Sequence, residues 1–442
     1  MTQTFQSQPR PRILVESYEC SPAMDHAPGS AWQILSRLAR WFDLWILTEE
    51  SQYRQQIVDH LRGDPDLSGR MNFVFLRRPC PRGFGRKRPA LPLREVFENR
   101  LWARQAYALA LQLHARIGFD LAHHLRSNSF RLPGLLWKLP IPFVWGPTGG
   151  TIEFPRSMMP ILTSKERLIY SLRNTINSLQ FRFSPLVRNA ARRAAGLLAQ
   201  TSQDQRDFLR IHHRHAILAH EQASKPRGGS IHRYAPTRRL HIAWIGRFID
   251  SKALPILLKA VSDPGIQSRI TLHIIGDGPK QTDWQAQAEQ LGVQSCCVWH
   301  GWLGQRETLE QLDRCDLMAF TSLRDATSTT VLQALSLGVP IVCFHICGFG
   351  DIIDSSCGIP IPVENPQQAV RDFRAAIVGI LDHPERIERL SAGTLNAAGH
   401  YSWDHLVEQI RGVWHSALGL AQPDSSPIEN TPWEIAAPIS LS

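Results

Sequence analysis

Long hydrophobic runs are absent from this chain of 442 residues. A helix that crosses a bilayer needs about 18 or more apolar residues in succession, and no such run is present. The opening residues, MTQTFQSQPRPR, contain no apolar core before Ile13, so they do not have the pattern of a signal peptide. The eight cysteines are scattered, without the spacing of a disulfide framework or a zinc site. We therefore expect a reduced, cytoplasmic protein without a membrane-spanning segment.

Several binding motifs are missing as well. The first predicted strand is not followed by the G-x-G-x-x-G fingerprint of a dinucleotide site. No aromatic ribonucleoprotein strand and no zinc finger is present, so we expect no nucleic-acid partner. The histidine-rich segment from His212 to His220 is not accompanied by ligands with the spacing of a metal site. We therefore expect neither a bound metal nor a cofactor.

Positive charge is in excess. The chain has 49 Lys and Arg against 39 Asp and Glu, which gives a net charge of +10. Basic residues cluster between Arg77 and Arg104 and again between Arg182 and Arg193. Such clusters are typical of a protein that meets an anionic membrane surface or a phosphorylated substrate. We expect an anionic membrane surface to be a partner of Arg77–Arg104, and a solvated basic surface is the alternative.

Short apolar runs alternate with helical patterns twice along the chain. The first series starts with the strand Pro11–Val15, and the second starts with the strand Leu240–Gly246 after a segment rich in His, Arg and Gly. Two such series predict an α/β protein with two Rossmann-like domains that face each other across a cleft. The predicted divisions are a first domain at 11–208, a linker at 209–239, a second domain at 240–400, a C-terminal helix at 401–420 and a disordered tail at 421–442.

The stretch from Thr321 to Pro340, TSLRDATSTTVLQALSLGVP, is the most informative. Its first half is small and hydroxylic with one acid, Asp325, and its second half is apolar at helical spacing and ends at Gly338. Apolar runs on both sides predict buried strands, so the unit is strand, polar loop, helix and strand. Ligands of such units bind at the carboxyl ends of the strands, and a helix N-terminus at that position favours an anion.

Further motifs stand in a fixed order along the chain. In the second half they are WIGRFIDSK, IIGDGP, HGWL, CDLMAFTSLRD and VLQALSLGVPIV. In the first half they are ECSP with the later PGSAW, and the long segment HHLRSNSFRLPGLLWKLPIPFVWGPTGG. As an ordered set over about residues 11–415, they resemble the retaining glycosyltransferases of family 4, in particular a bacterial polysaccharide-type subgroup. The resemblance implies the GT-B fold, in which a C-terminal helix crosses back to the first domain.

The resemblance implies a donor site for a nucleotide-diphosphate sugar in the second domain. Arg247 and Lys252 would meet the diphosphate, whose charge grows as it leaves, without a metal. Asp325 stands at the first of two glutamate positions and would hold the sugar hydroxyls, with a helix N-cap as its structural alternative. At the second position, which faces the ribose, the amide Gln333 replaces a carboxylate. The other implied donor contacts lie in the first loop, the GDGP turn and the start of the helix after Asp325, at Gly29, Gly276, Gly278, Thr327, Ser328, Thr329 and Thr330.

On the acceptor side, the resemblance implies a catalytic histidine at the end of the strand that starts at Asp120. His124 is favoured over His123, and a buried structural histidine is the alternative. Gly149 and Gly150 either shape the acceptor pocket or only turn the chain.

The resemblance implies that a hexose is transferred from a nucleotide sugar to a glycan or lipid-linked acceptor with retention of configuration. The expected setting is surface polysaccharide biosynthesis, in the cytoplasm or peripheral on the inner membrane. The amide at Gln333 and the altered first loop around Gly29 leave a second interpretation open. In that interpretation the protein is a catalytically weakened or inactive relative that binds a nucleotide or serves as a scaffold.

Overall fold

The computed structural model describes residues 10–24, 26–78, 92–125, 129–224 and 228–421. The middle of the basic stretch Arg77–Arg104 lies outside these residues, and so does nearly all of the tail that was predicted to be disordered. Within the described residues, no helix is long and apolar enough to cross a membrane.

The first domain is built on a parallel sheet. Its strands are β1 (Arg12–Glu16), β2 (Asp43–Glu49), β3 (Met71–Leu76), β4 (Leu121–His124), β5 (Phe143–Thr148), β6 (Ala194–Ala199) and β7 (Ile217–Leu218). They lie in the order β3-β2-β1-β4-β5-β6-β7. The helices of this half are α1 (His26–Leu38), α2 (Glu50–Arg62), α3 (Pro65–Ser68), α4 (Pro92–Ile117), α5 (Ser164–Phe183), α6 (Pro185–Arg193) and α7 (Ser202–His212). The strand order reverses between β1 and β4, which creates a switch point where ligands of such sheets bind.

The second domain has the same design. Its strands are β8 (Leu240–Ile245), β9 (Ile270–Ile275), β10 (Cys297–Gly301), β11 (Leu317–Phe320), β12 (Ile341–Phe344) and β13 (Gly358–Ile361), in the order β10-β9-β8-β11-β12-β13. Its switch point lies between β8 and β11. The helices are α8 (Leu254–Ala260), α9 (Pro264–Gln267), α10 (Gln281–Gln290), α11 (Gln305–Asp313), α12 (Thr329–Leu337), α13 (Cys347–Ile352), α14 (Pro366–Asp382), α15 (Glu385–His400) and α16 (Trp403–Leu418).

The sequence of the central strands of the second sheet is that expected for a sheet covered by helices on both faces. β11 and β12 are apolar at every position and fully buried, which is typical of parallel strands between two helical layers. α12 follows β11 and ends at Gly338, whose φ of +79° favours glycine because a side chain would be strained there. The predicted unit of strand, polar loop, helix and strand is thus present at residues 317–344.

The last helix, α16, leaves the second domain and packs on the first. Its apolar face joins the core formed by α1 and the first sheet. Arg37 of α1 forms an ion pair with Asp404 at 2.9 Å, and the indole Nε1 of Trp414 donates to Nδ1 of His123 at 3.0 Å. The predicted crossing of the C-terminal helix back to the first domain is therefore confirmed. The buried residues of α16 are Trp403, Leu406, Val407, Ile410, Val413 and Trp414.

Some elements differ from the prediction. α1 begins at His26, so Gly29 lies inside the helix and not in the loop before it. The segment predicted as a linker, 209–239, contains the end of α7 and also β7, which pairs with β6 of the first sheet. α15 was not predicted. Pro28 and Gly29 suggested a loop, but proline is well tolerated in the first turn of a helix.

Candidate functional site

An ion pair lies at the switch point of the second sheet. Because β8 and β11 are neighbours, the loops that follow them meet at one edge. Nζ of Lys252, after β8, lies 2.5 Å from Oδ2 of Asp325, after β11. The two side chains are 17% and 27% exposed, so a ligand can reach both. The other carboxylate oxygen of Asp325 accepts a hydrogen bond from the backbone N–H of Ala326 at 3.0 Å.

The backbone of Lys252 is fixed against β11. Its carbonyl oxygen accepts a hydrogen bond from Oγ1 of Thr321 at 2.7 Å. The same hydroxyl oxygen accepts from the indole Nε1 of Trp244 at 2.9 Å. Nζ of Lys252 also lies 5.2 Å from the centre of the Phe320 ring. The ammonium group is therefore held at a defined position.

Gly276 and Gly278, after β9, pack against the loop after β8, which carries the predicted phosphate ligands Arg247 and Lys252. They have φ values of +136° and +149°, a region that side chains rarely adopt. A Cβ on Gly276 would lie 1.9 Å from the carbonyl oxygen of Gly246, and one on Gly278 would lie 2.7 Å from that of Phe248. The two glycines let the loops after β8 and β9 pack backbone against backbone. Arg247, on the loop after β8, is exposed.

The N-terminus of α12 is uncapped. Ser328 is the N-cap residue, but its side chain forms no capping hydrogen bond, and the N–H groups of a first turn have no acceptor within the helix. Asp325 is therefore not the N-cap, which removes the structural alternative for it. The Thr327 hydroxyl faces the first domain, where its Oγ1 lies 3.2 Å from Nδ1 of His220.

Three of the predicted donor residues line one cavity between the domains. This cavity, of about 130 Å³, has Gly29 of α1 on one side and Thr329 and Gln333 of α12 on the other. Thr330 does not line it. A Cβ on Gly29 would lie 2.0 Å from the carbonyl oxygen of Met24, so only glycine permits this packing of α1 against its preceding loop.

His124 faces a larger cavity of about 580 Å³ in the first domain. Its partner across the strands is Glu16, and Nδ1 of His124 lies 3.0 Å from Oε2 of Glu16. Both ring nitrogens of His124 are buried; Nδ1 faces the Glu16 carboxylate, and Nε2 has no hydrogen-bond partner among the described residues. Trp102 and Arg131 line the same cavity. A buried polar group without a partner is rare, and a bound ligand would account for it.

His123 lines none of the three cavities described in this section, and its burial favours the structural alternative for this residue. Its side chain is fully buried, and both ring nitrogens are used. Nε2 lies 2.7 Å from the carbonyl oxygen of Gly146, and Nδ1 accepts from Trp414. Burial lowers the pKa of His123 to about 3, so the ring is neutral. Successive side chains of β4 point to opposite faces, so His123 points toward α16 while His124 points toward the cavity.

Gly149 and Gly150 turn the chain after β5. A Cβ on Gly149 would lie 2.3 Å from Oε1 of Gln200, and Gly150 has a φ of +96°. The next two residues, Thr151 and Ile152, line a cavity of about 580 Å³ between the domains, but the glycines do not. They position the wall of this cavity through the backbone.

Contacts across this second interdomain cavity were not predicted. The backbone N–H and hydroxyl of Ser202 donate to the two carboxylate oxygens of Asp351 at 2.7 and 2.5 Å. Nε of Arg324 donates to the carbonyl oxygen of Ile152 at 3.2 Å, and burial lowers the pKa of Arg324. Glu16 beside His124 was also missed. Its only sequence signal was an acid at the end of an apolar strand.

In the part of the chain that the structure describes, no group of three or more His, Cys, Asp and Glu side chains could hold a metal ion. Two histidines of the segment 212–220 have separate backbone partners. Nε2 of His212 lies 2.9 Å from the carbonyl oxygen of Phe181, and Nδ1 of His220 lies 2.9 Å from that of Gln200.

The chain is similar in sequence to known glycosyltransferases. Residues 239–383 match the sequence model of the family described as "Glycosyl transferases group 1". The D-inositol 3-phosphate glycosyltransferase of Streptomyces griseus is 25% identical over 185 residues, which are 39% of this chain and 38% of that protein. The 2-deoxystreptamine glucosyltransferase of Streptomyces kanamyceticus is 23% identical over 344 residues, 73% of this chain and 84% of that protein. The chain thus spans well under half the length of the first of these relatives.

Solved structures extend the likeness to nearly the whole chain. Anabaena HepE in complex with UDP has a TM-score of 0.57 at 13% identity, over 92% of this chain and 100% of that one. Sucrose-phosphate synthase from Thermosynechococcus elongatus has a TM-score of 0.62 at 13% identity, over 93% and 100%. At such identities the likeness shows the fold, which is GT-B with two Rossmann-like domains, as predicted.

Proposed function

We propose that the protein is a glycosyltransferase that moves a hexose from a nucleotide-diphosphate sugar to a glycan or lipid-linked acceptor with retention of configuration. The observation that carries this proposal is the ion pair of Lys252 and Asp325 beside the uncapped start of α12. An accessible cation, a carboxylate and free backbone N–H groups are what a sugar diphosphate requires. The match of residues 239–383 to a glycosyltransferase family supports the same reading.

In the proposed reaction, the bond between the anomeric carbon and the diphosphate oxygen breaks and a bond to an acceptor hydroxyl forms. Lys252 and the exposed Arg247 stabilise the charge that develops on the leaving diphosphate, without a metal. The N–H groups at the start of α12, around Ser328 and Thr329, contribute hydrogen bonds and the helix dipole.

Asp325 and Gln333 hold the two ends of the donor in this proposal. When the diphosphate engages Lys252, the carboxylate of Asp325 becomes free to accept hydrogen bonds from the sugar hydroxyls. Gln333 meets the ribose in the cavity that it shares with Gly29. As an amide it offers one acceptor and two N–H donors, so its hydrogen bonds to the ribose are weaker than those of a carboxylate.

The acceptor binds in the first domain, where His124 is the proposed catalytic residue. Support comes from the cavity of about 580 Å³ and from the buried Nε2 of His124, which has no hydrogen-bond partner among the described residues. Glu16 orients the imidazole from 3.0 Å. The acceptor itself is proposed to be an intermediate of surface polysaccharide, and the basic stretch Arg77–Arg104 is proposed to contact an anionic membrane surface at the cytoplasmic side.

Donor hydrolysis tests the proposal. The protein is incubated with UDP-sugars and GDP-sugars, and release of the nucleoside diphosphate is measured. We expect release with at least one donor and its loss in Lys252→Ala. Lys259→Ala is the matched control, because Lys259 is an exposed lysine on the following helix. Equal release by the Lys252→Ala variant would contradict the phosphate assignment.

A second variant separates this function from the inactive interpretation. Gln333→Glu restores a carboxylate at the ribose position, and a charge-assisted hydrogen bond is stronger by about 1 kcal/mol than a neutral one. We expect donor affinity to rise about fivefold. If neither form binds a nucleotide, the scaffold interpretation holds.

A further inference from the structure

Helix α5 presents an unusual number of apolar side chains to solvent. Six large hydrophobic residues on this one helix are between 43% and 71% exposed. They are Leu168, Ile169, Leu172, Ile176, Leu179 and Phe183. The other large apolar side chains exposed in the described residues are distributed over many elements.

The six residues form one continuous stripe. At about 3.6 residues per turn, their positions fall within an arc of about 100°. The buried residues Asn174, Asn177 and Phe181 lie on the opposite side of the helix, against the first domain. A helix of 20 residues is about 30 Å long, so the stripe extends along its whole length. It is an organised surface and not a frayed part of the core.

Positive charge surrounds the stripe. Arg173 and Arg182 flank it on its two sides, and Cζ of Arg182 lies 5.5 Å from the centre of the Phe183 ring. The only acid in α5 and α6, Glu166, is already engaged by Lys280 and by the N-cap of α5. The exposed basic residues of the two helices are Lys165, Arg167, Arg173, Arg182, Arg188, Arg192 and Arg193.

We propose that this face of α5, with the basic residues of α5 and α6, docks on an anionic phospholipid surface. An apolar stripe bordered by cations is the pattern of helices that lie in a membrane interface. The apolar side chains enter the acyl boundary, and the arginines contact the headgroups. A second copy of this chain fits less well because it would bring two rows of arginines together. This inference deepens the proposed function and rests on it in one respect: an enzyme with a lipid-linked acceptor would need a surface that binds the membrane.

Vesicle binding tests the surface. The full chain is mixed with vesicles of phosphatidylcholine and phosphatidylglycerol, and the bound fraction is measured by sedimentation. The test variant carries Leu168→Ser, Leu172→Ser and Leu179→Ser. We expect its partition coefficient to fall at least about tenfold, because three apolar side chains no longer enter the interface. Wild-type binding should weaken as salt is added and be lower on pure phosphatidylcholine.

A matched variant controls for general hydrophobicity. Leu111→Ser, Ile217→Ser and Val298→Ser remove three exposed apolar side chains from other elements, and this variant should bind vesicles like the wild type. Equal loss in both variants, or no loss in the α5 variant, overturns the proposal. It is also overturned if the wild type is a dimer that the α5 variant dissociates, or if it binds vesicles only after residues 422–442 are removed.

Donor hydrolysis without vesicles distinguishes the two proposals. The α5 variant should hydrolyse donor at the wild-type rate, because the three leucines are exposed to solvent and lie on the side of α5 opposite its packed residues. If the wild type binds vesicles but hydrolyses no donor, the proposed function fails and the membrane surface stands.

Discussion

Replacing Asp325 with asparagine is expected to tighten the binding of a nucleoside diphosphate while it slows sugar transfer. The carboxylate lies 2.5 Å from Nζ of Lys252. A diphosphate must take over that ammonium group, so the ion pair competes with the ligand. Asparagine keeps the size of the side chain but removes the charge, which leaves Lys252 available.

The magnitude follows from the exposure of the pair. The side chains of Lys252 and Asp325 are 17% and 27% exposed. The interaction free energy of an ion pair that solvent can reach is about 1 kcal/mol at most. Its removal should therefore raise diphosphate affinity by up to about fivefold. Turnover should fall, because an amide accepts hydrogen bonds from sugar hydroxyls more weakly than a carboxylate does.

Isothermal titration with UDP and GDP measures the affinity, and release of diphosphate from the sugar donor measures turnover. Lys252→Ala should lower both quantities, so the two variants change nucleotide affinity in opposite directions. Asp283→Asn, at a side chain that is 69% exposed on α10, is the control for loss of an acid. The reasoning is refuted if Asp325→Asn weakens diphosphate binding as much as Lys252→Ala does.

Three further predictions concern stability, and urea unfolding measures each of them. Gly276→Ala should destabilise the protein by about 3 kcal/mol because a Cβ would collide with backbone 1.9 Å away, whereas Gly292→Ala, with open space around it, should cost about 1 kcal/mol. Trp414→Phe should lower the free energy of unfolding by about 1–3 kcal/mol, because the buried Nδ1 of His123 loses its hydrogen-bond donor. Trp302→Phe, at an exposed site, should change the free energy of unfolding little. The folded protein holds the pKa of His123 at about 3, below the usual 6.5, so the unfolded chain takes up the proton first. Stability should fall as pH drops below about 6.5, by roughly 1 kcal/mol per pH unit for this residue, and a steady stability down to pH 4 would contradict the assignment of a neutral ring.

The proximity of Lys252 and Asp325 could be predicted from the sequence because each position is set locally. Each of Lys252 and Asp325 lies a few residues after an apolar strand, and parallel topology brings the ends of such strands to one edge. The choice between His123 and His124 could not be made in this way. It depends on which face of β4 is covered by α16. Trp414 of this helix contacts His123 although the two residues are 291 positions apart in the chain.

Pairings across elements were missed for the same reason. Glu16 meets His124 only because β1 and β4 pair in one register, and Ser202 meets Asp351 only when the two domains are in contact. The start of α1 was missed because Pro28 and Gly29 are typical of loops, although the packing of Gly29 against Met24 favours helix at that position. Such preferences are weak compared with tertiary packing.

The return of α16 to the first domain sets an order of events during protein synthesis. The second domain, residues 240–400, can complete its sheet as soon as those residues have left the ribosome. The first domain is translated earlier, yet its core lacks Trp403, Ile410 and Trp414 until the final helix emerges. N-terminal domains usually complete their folding first, whereas here the first domain can complete its core only after the second domain has been synthesised. A chain that stops before α16 would expose an apolar face of the first sheet, so premature termination should yield a protein that aggregates.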